Sequence, residues 1–237
     1  MFGFFAGPIA ILRSLFLLLR HPVLLRRALL PAITTLIVVA VSLYVAVGYR
    51  SNLLAWLWPG MAGSSVVSGV FGVSAALLAL FIAPWLVMLV GLPLCGPLAE
   101  TADELLGGRA VDLGIFRSIK NTIMTTGAVL LVGLSVSIAL FMLGLIPGIG
   151  LVSAPIALFF WTPLVFAFDL FDISLSRREL DFTRRRRFLI ENLGYSISVG
   201  LTGMLCVAVP IVNLLGLPLA VLSAVIVVRD LEDKGRL

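Results

Sequence analysis

The feature that most constrains the fold of this chain is a succession of long apolar runs that contain no charged residue. Five such runs follow one another: Leu29–Val47, Val66–Val90, Ile123–Leu143, Gly150–Phe168 and Ile197–Val228. Runs of about 20 apolar residues match the thickness of a bilayer core when they are helical. The chain is 61% hydrophobic and 12% charged, whereas soluble domains are about 45–50% apolar and about 25% charged. We therefore predict an all-α integral membrane protein with a single membrane domain over residues 1–237.

The five runs are predicted to form two long transmembrane helices followed by two helical hairpins. Leu29–Val47 and Val66–Val90 are each long enough to cross the bilayer once. Leu145–Gly150 supplies a turn between the third and fourth runs, and Val209–Asn213 breaks the last run. The halves of that run have about 12–16 residues each, below the ~20 needed to span. The hairpins therefore cross fully or stop partway, and a break at depth requires cover from protein or water, which predicts a homo-oligomer or a cavity.

The distribution of basic residues predicts the orientation. Lys and Arg are concentrated in segments 1–27, 98–122, 169–196 and 229–237, whereas loop 51–65 and both hairpin tips carry none. Basic segments remain on the cytoplasmic side of a membrane, so we expect both termini there. Segment 1–27 is amphipathic and is predicted to lie as a helix at the phospholipid interface.

The sequence contains no pattern typical of an enzyme or of a metal protein. The single histidine, His21, has no nucleophile or metal-ligand partner at a recognisable spacing, and no P-loop or HExxH motif occurs. Cys95 and Cys206 lie in apolar surroundings and are interpreted as packing residues. We therefore expect no catalytic residue, no metal and no cofactor. We also expect no nucleic-acid partner, because the basic residues behind the net charge of +5 flank the apolar segments, as in membrane proteins.

A candidate anion site lies where the first long helix is predicted to start. Pro22 suits the first position of a helix, and the amides of Val23, Leu24 and Leu25 would then be unpaired and able to bind an anion. The guanidinium groups of Arg26 and Arg27 follow within a turn and could clamp an oxyanion. The alternative is that these two arginines only anchor the end of a membrane helix.

Two further features allow a structural and a functional interpretation. Gly107–Gly108, after an acidic segment, is typical of a helix C-cap. The run Arg184–Arg187 is interpreted as a solvated patch that faces lipid headgroups, with anion recruitment as the alternative.

Four segments, in this order, resemble motifs of the CysZ family within the etoposide-induced membrane-protein superfamily. They are Pro93–Glu100, Leu145–Gly150 with Ala154–Pro155, Asp172–Arg178 and Pro210–Pro218. The resemblance covers nearly the whole chain. It implies two long transmembrane helices, two partly penetrating hairpins, a homo-oligomer, and sulfate uptake across the bacterial inner membrane that feeds cysteine synthesis.

The resemblance also implies a location for the sulfate site. In the family, a Pro-Gly-Leu-Arg segment before the first long helix binds sulfate through backbone amides and the arginine. Aligned from Pro22, this chain has Val23 in place of the glycine and Leu25 in place of the arginine, and Arg26 matches the next position. The leading hypothesis is a channel or permease for sulfate or a related oxyanion. The alternative is a membrane scaffold that binds partners through its basic loops.

Overall fold

The computed structural model describes residues 2–58, 60, 64–108, 150–178 and 180–235, together with isolated helical positions between 135 and 144. All regular structure in these residues is helical. After a 3₁₀ turn at Phe2–Phe5, the helices are α1 (Ala6–Arg20), α2 (Pro22–Gly48), α3 (Arg50–Leu57), α4 (Ser65–Leu94), α5 (Gly96–Leu105), α6 (Gly150–Ser176), α7 (Phe182–Glu191), α8 (Leu193–Ala208) and α9 (Pro210–Glu232).

The two long helices predicted from the first apolar runs are α2 and α4. α2 has 27 residues and α4 has 30 residues. At 1.5 Å per residue they are about 40 Å and about 45 Å long, enough to cross a core of about 30 Å. They pack against each other. Only 22% of the most apolar 18-residue stretch of α2 is buried, so most of that stretch is free to contact lipid.

The amphipathic segment 1–27 is divided by a break at His21, so its predicted length was wrong. His21 is extended, with φ −117° and ψ 102°, as expected for a residue that precedes proline. α1 therefore ends at Arg20, and Pro22 begins α2 at its first position. One face of α1 buries small residues and Leu18 against α8 and α9, whereas a stripe of large apolar side chains on the other face is exposed: Phe5, Ile9, Leu12, Phe16 and Leu19.

The bundle is organised around α9. It contacts α1, α2, α4, α5, α6 and α8. Of its most apolar 18-residue stretch, 78% is buried inside the protein. α9 begins after Val209, whose extended backbone separates it from α8. It runs 23 residues, through Pro218, to Glu232, which is about 34 Å. The expectation that both halves of the last run are too short to span was therefore wrong for the second half, since only α8, with 16 residues, is short.

Two glycines set the closest approaches between helices. A Cβ on Gly200 of α8 would overlap the backbone carbonyl of Pro163 in α6. A Cβ on Gly7 of α1 would overlap the carbonyl of Ser198 in α8, and the amide of Gly7 donates a 2.8 Å hydrogen bond to the hydroxyl of Ser198. Both contacts need a residue without a side chain, because a helix backbone cannot yield as a flexible side chain does.

Among the described residues, three helical stretches are long and apolar enough to cross a membrane: Pro22–Gly48, Phe159–Ser176 and Leu214–Glu232. The described side chains of α4 and the whole of α8 add shorter apolar stretches, Ser65–Leu80 and Leu193–Ala208. This arrangement confirms the predicted class, an all-α membrane protein with a helix at its N-terminal end. The tip between the third and fourth apolar runs lies outside the described residues.

Candidate anion site at the basic end of the bundle

The backbone at the start of α2 leaves fewer free donors than the sequence predicted. The amides of Leu24 and Leu25 both donate to the carbonyl of His21, at 3.0 Å and 3.3 Å, and the amide of His21 donates to Leu17 at 3.2 Å. In this turn, only the amide of Val23 donates to no oxygen of the described residues. The expectation of three unpaired amides was therefore wrong for Leu24 and Leu25.

The side chains of the predicted site point in different directions. Leu24 is fully buried, whereas Val23 and Leu25 are 53% and 41% exposed. Arg26 and Arg27 are both exposed. Arg27 donates from one terminal nitrogen to the carbonyl of Pro97 at 2.7 Å, so its guanidinium spans from α2 to the first turn of α5. Arg26 makes no ion pair with a described residue. Whether this segment binds sulfate stays a prediction.

A second arginine reaches the same turn of α5 from another helix end. Arg177, just after α6, donates to the carbonyl of Gly96 at 3.0 Å and pairs with Glu100 at 3.2 Å. Arg27 and Arg177 therefore bind neighbouring carbonyls, those of Pro97 and Gly96. This contact joins the start of α2, the start of α5 and the end of α6. Sequence reasoning missed Arg177 as a neighbour of Arg27, because the two are far apart in the chain and no spacing rule connects them.

A buried ion cluster lies beside this turn. Arg178 pairs with Asp103 and with Glu232, each at 2.9 Å, and donates to the backbone and hydroxyl oxygens of Ser174. The side chains of Arg178 and Asp103 are only 9% and 4% exposed. Burial acts against the charged form of Arg178, but the hydrogen bond to Glu232 and the charges of Asp103 and Glu232 outweigh it and raise the pKa of Arg178. Because its charge is already balanced, this cluster fixes helix ends and is not a free anion site.

The basic run Arg184–Arg187 divides between two roles. Arg185 is buried, pairs with Asp172 of α6 and donates to the carbonyl of Leu180 at 2.8 Å. The interpretation of the run as a solvated patch was therefore wrong for Arg185, which ties α7 to α6. The other three arginines of the run are exposed, as predicted.

The remaining sequence predictions concern capping and packing. Gly107 has φ +79°, and the amide of Gly108 donates to the carbonyl of Asp103 at 2.8 Å, which confirms the predicted C-cap of α5. Cys95 is fully buried, which confirms its packing role, and burial raises the pKa of its thiol to about 12. Within the part of the chain that the structure describes, no group of three His, Cys, Asp or Glu residues could hold a metal ion.

Apolar helices of membrane-spanning length define an α-helical membrane protein. A family profile described as "Sulfate transporter CysZ/Etoposide-induced protein 2.4" matches residues 10–218. The chain belongs to this family.

Individual relatives agree with this assignment. A protein of Vibrio atlanticus (strain LGP32) named "Sulfate transporter CysZ" is 29% identical over 254 aligned residues, which cover 99% of this chain and 94% of the relative. A protein of Vibrio cholerae (strain M66-2) with the same name is 27% identical, over 86% of this chain and 85% of its own length. A third, from Vibrio parahaemolyticus, is 26% identical over 75% and 71%.

Proposed function

We propose that this chain takes up sulfate, or a closely related tetrahedral oxyanion, across a bacterial inner membrane. The observation that carries the proposal is the family match over residues 10–218, together with the names of the relatives. The sequence has no nucleotide-binding P-loop. The proposed mode of action is that of a channel or a gradient-driven permease and not of an enzyme, and the family resemblance implies that the sulfate feeds cysteine synthesis.

The proposed site is the start of α2, with Val23, Leu24, Leu25, Arg26 and Arg27. Val23 contributes its unpaired amide, and the positive end of the α2 dipole favours an anion there. Arg26 supplies a guanidinium without a counter-ion among the described residues, and Arg27 keeps further donors beyond the one that binds Pro97. Leu24 and Leu25 shape the turn, since both of their amides hold the carbonyl of His21. One amide and one free arginine favour weak, reversible binding, which suits a transported ion.

The proposal includes topology and assembly. In the proposed topology the chain is a single domain over residues 1–237 with both termini in the cytoplasm, because its basic segments favour that side of the membrane. Val209 and Val212, at the break between α8 and α9, are 48% and 42% exposed. An exposed backbone break beside lipid needs protein cover, and a second copy of this chain provides it in a homo-oligomer.

Radiolabelled sulfate separates this proposal from a scaffold role. We expect saturable binding to the purified protein and uptake by a host that lacks its own sulfate uptake. Arg26→Ala should weaken binding about tenfold, the loss of one strong charge-assisted hydrogen bond. Arg27→Ala should weaken it less, and Arg186→Ala, which removes an exposed arginine from α7, should leave it unchanged. If wild type neither binds nor imports sulfate at millimolar concentration, the scaffold role replaces transport.

A further inference from the structure

Arg50 is a charged residue within a long stretch of the sequence that otherwise carries no charge. No Asp, Glu, Lys, Arg or His other than Arg50 occurs between residues 28 and 99. Arg50 follows the C-terminal end of α2, whereas Arg26 and Arg27 lie near its start. α2 separates them by about 35 Å at 1.5 Å per residue, slightly more than the thickness of a bilayer core. Arg50 therefore lies at the membrane interface opposite the basic end.

Arg50 lines a cavity between the end of α2 and the start of α4. The cavity has a volume of about 480 Å³ and is also lined by Val47, Ser65, Ser68, Gly69, Gly72, Val73 and Ala76. A single water needs only about 10–15 Å³ of such volume. The space is therefore large enough for a tetrahedral anion together with waters of its hydration shell.

The position of the Arg50 side chain is set by a glycine. A Cβ on Gly72 would lie 2.8 Å from Cδ of Arg50 and 3.8 Å from its Nε. The aliphatic part of Arg50 therefore lies directly across Gly72, in space that any other residue would occupy. Because the contact is with Cδ of Arg50, a larger residue at position 72 would require the Arg50 side chain to shift away from α4.

The donors around the cavity exceed the acceptors. Arg50 donates from one terminal nitrogen to the carbonyl of Val47 at 3.2 Å, and it forms no ion pair with a described residue. The hydroxyls of Ser65 and Ser68 have no hydrogen-bond partner in the described part of the chain. An arginine fork and two hydroxyls suit a tetrahedral oxyanion, because the guanidinium binds two of its oxygens at once.

We propose that this cavity is a second oxyanion site, formed by Arg50, Ser65 and Ser68, at the outer face of the protein. The inference rests on the proposed sulfate uptake for its direction: the site concentrates the dianion before it crosses. The same chemistry fits the phosphate of a phospholipid headgroup, since exposed Trp56 and Trp58 of the neighbouring segment suit a membrane interface.

The test measures uptake of external radiolabelled sulfate by cells, with KM and maximal rate determined separately. Arg50→Gln should raise KM roughly five- to tenfold, the loss of about one charge-assisted hydrogen bond, and leave the maximal rate unchanged. Arg50→Lys should restore part of the affinity, because it keeps the charge but loses the fork. Gly72→Ala, which keeps the charge but displaces it, should also raise KM.

Two matched controls should leave KM unchanged. Gly48→Ala adds a methyl group that meets only ordinary contacts, at 3.8 Å or more from the ring of Tyr44. Arg186→Gln removes one positive charge from the opposite end. If Arg50→Gln and Gly72→Ala behave like these controls and no lipid effect is found, the proposal is wrong.

A second measurement identifies the source of the oxyanion and separates the two proposals. The phospholipid that remains bound to protein purified in detergent is quantified by native mass spectrometry for wild type and Arg50→Gln. Loss of a bound anionic lipid with unchanged KM assigns the site to a headgroup phosphate, and a raised KM with unchanged lipid assigns it to free sulfate. Sulfate binding is also measured in the Arg26→Ala/Arg27→Ala background. If wild type binds sulfate but Arg50→Gln changes neither this residual binding nor the amount of bound lipid, only the second site is wrong. If wild type binds no sulfate at all, the proposed function itself is wrong.

Discussion

Adding a single methyl group at two glycines of α8 should have opposite effects on stability, because one of them makes the closest contact between helices. At Gly200, the added Cβ of Gly200→Ala overlaps the carbonyl of Pro163, and overpacking costs about 1–3 kcal/mol. The upper end applies because a backbone atom cannot move without shifting α6. Alanine returns about 1 kcal/mol of helix propensity, so we expect a net loss of about 2 kcal/mol. At Gly194, in the first turn of α8, the nearest atoms lie 3.9 Å away, so Gly194→Ala should gain up to about 1 kcal/mol.

The two variants should therefore differ by about 3 kcal/mol in free energy of unfolding, which corresponds to roughly 6–12 °C in the midpoint of thermal unfolding for a chain of this size. The assay follows reaction of Cys95 with a thiol-reactive fluorophore during heating in detergent, in a Cys206→Ala background, since Cys95 is fully buried until the fold opens. Heating is irreversible for many membrane proteins, so both variants are compared at one scan rate. If Gly200→Ala melts at or above the midpoint of Gly194→Ala, α6 and α8 are not in backbone contact and the reasoning fails.

Three further predictions concern the ion cluster, the topology and the buried thiol. Arg178→Met should cost about 3–5 kcal/mol because it leaves Asp103 buried and unpaired, and adding Asp103→Leu should recover most of the loss; equal midpoints for the single and double variants would contradict this. In single-cysteine variants, an impermeant maleimide applied outside should label Leu57→Cys but not Asp181→Cys, and the reverse pattern would invert the topology. Labelling of native Cys95 should stay slow from pH 7 to pH 9, because its pKa of about 12 keeps the thiolate scarce; a rise with a midpoint near the usual value of about 8.5 would show that the thiol is exposed.

The parts of the fold that depend on local composition could be predicted from the sequence. The uncharged runs Leu29–Val47 and Val66–Val90 predicted α2 and α4. In lipid, a single spanning segment can pair all of its own backbone groups only as a helix. The glycine pair predicted the C-cap of α5, because glycine readily adopts the left-handed backbone found at Gly107, with φ +79°. The length of α9 was missed because only the apolar residues between Asn213 and Val228 were counted, whereas the helix begins at Pro210, inside the predicted break, and continues to Glu232.

The parts that depend on contacts between distant segments could not be predicted. Four consecutive arginines point around all sides of a helix, so the sequence cannot show that Arg185 alone faces inward toward Asp172. The bond from Arg27 to Pro97 and the pairing of Arg177 with Glu100 likewise depend on how α5 docks. At the start of α2, the rule that first-turn amides are free failed for Leu24 and Leu25, because both amides donate to the carbonyl of His21.

The central position of α9 has a consequence for how the protein is made. A ribosome synthesises α9 after every helix that packs against it, so the faces of α1, α2, α6 and α8 that contact α9 are made before α9 is available to cover them. Insertion and folding are therefore separate events: helices are threaded one after another, and the bundle closes only when residues 210–232 arrive. Until then the faces that will meet α9 are covered by lipid or by an insertase. A premature stop before residue 210 consequently removes the helix around which the others pack, and we expect the product to be degraded by membrane proteases and not to form a smaller version of the protein.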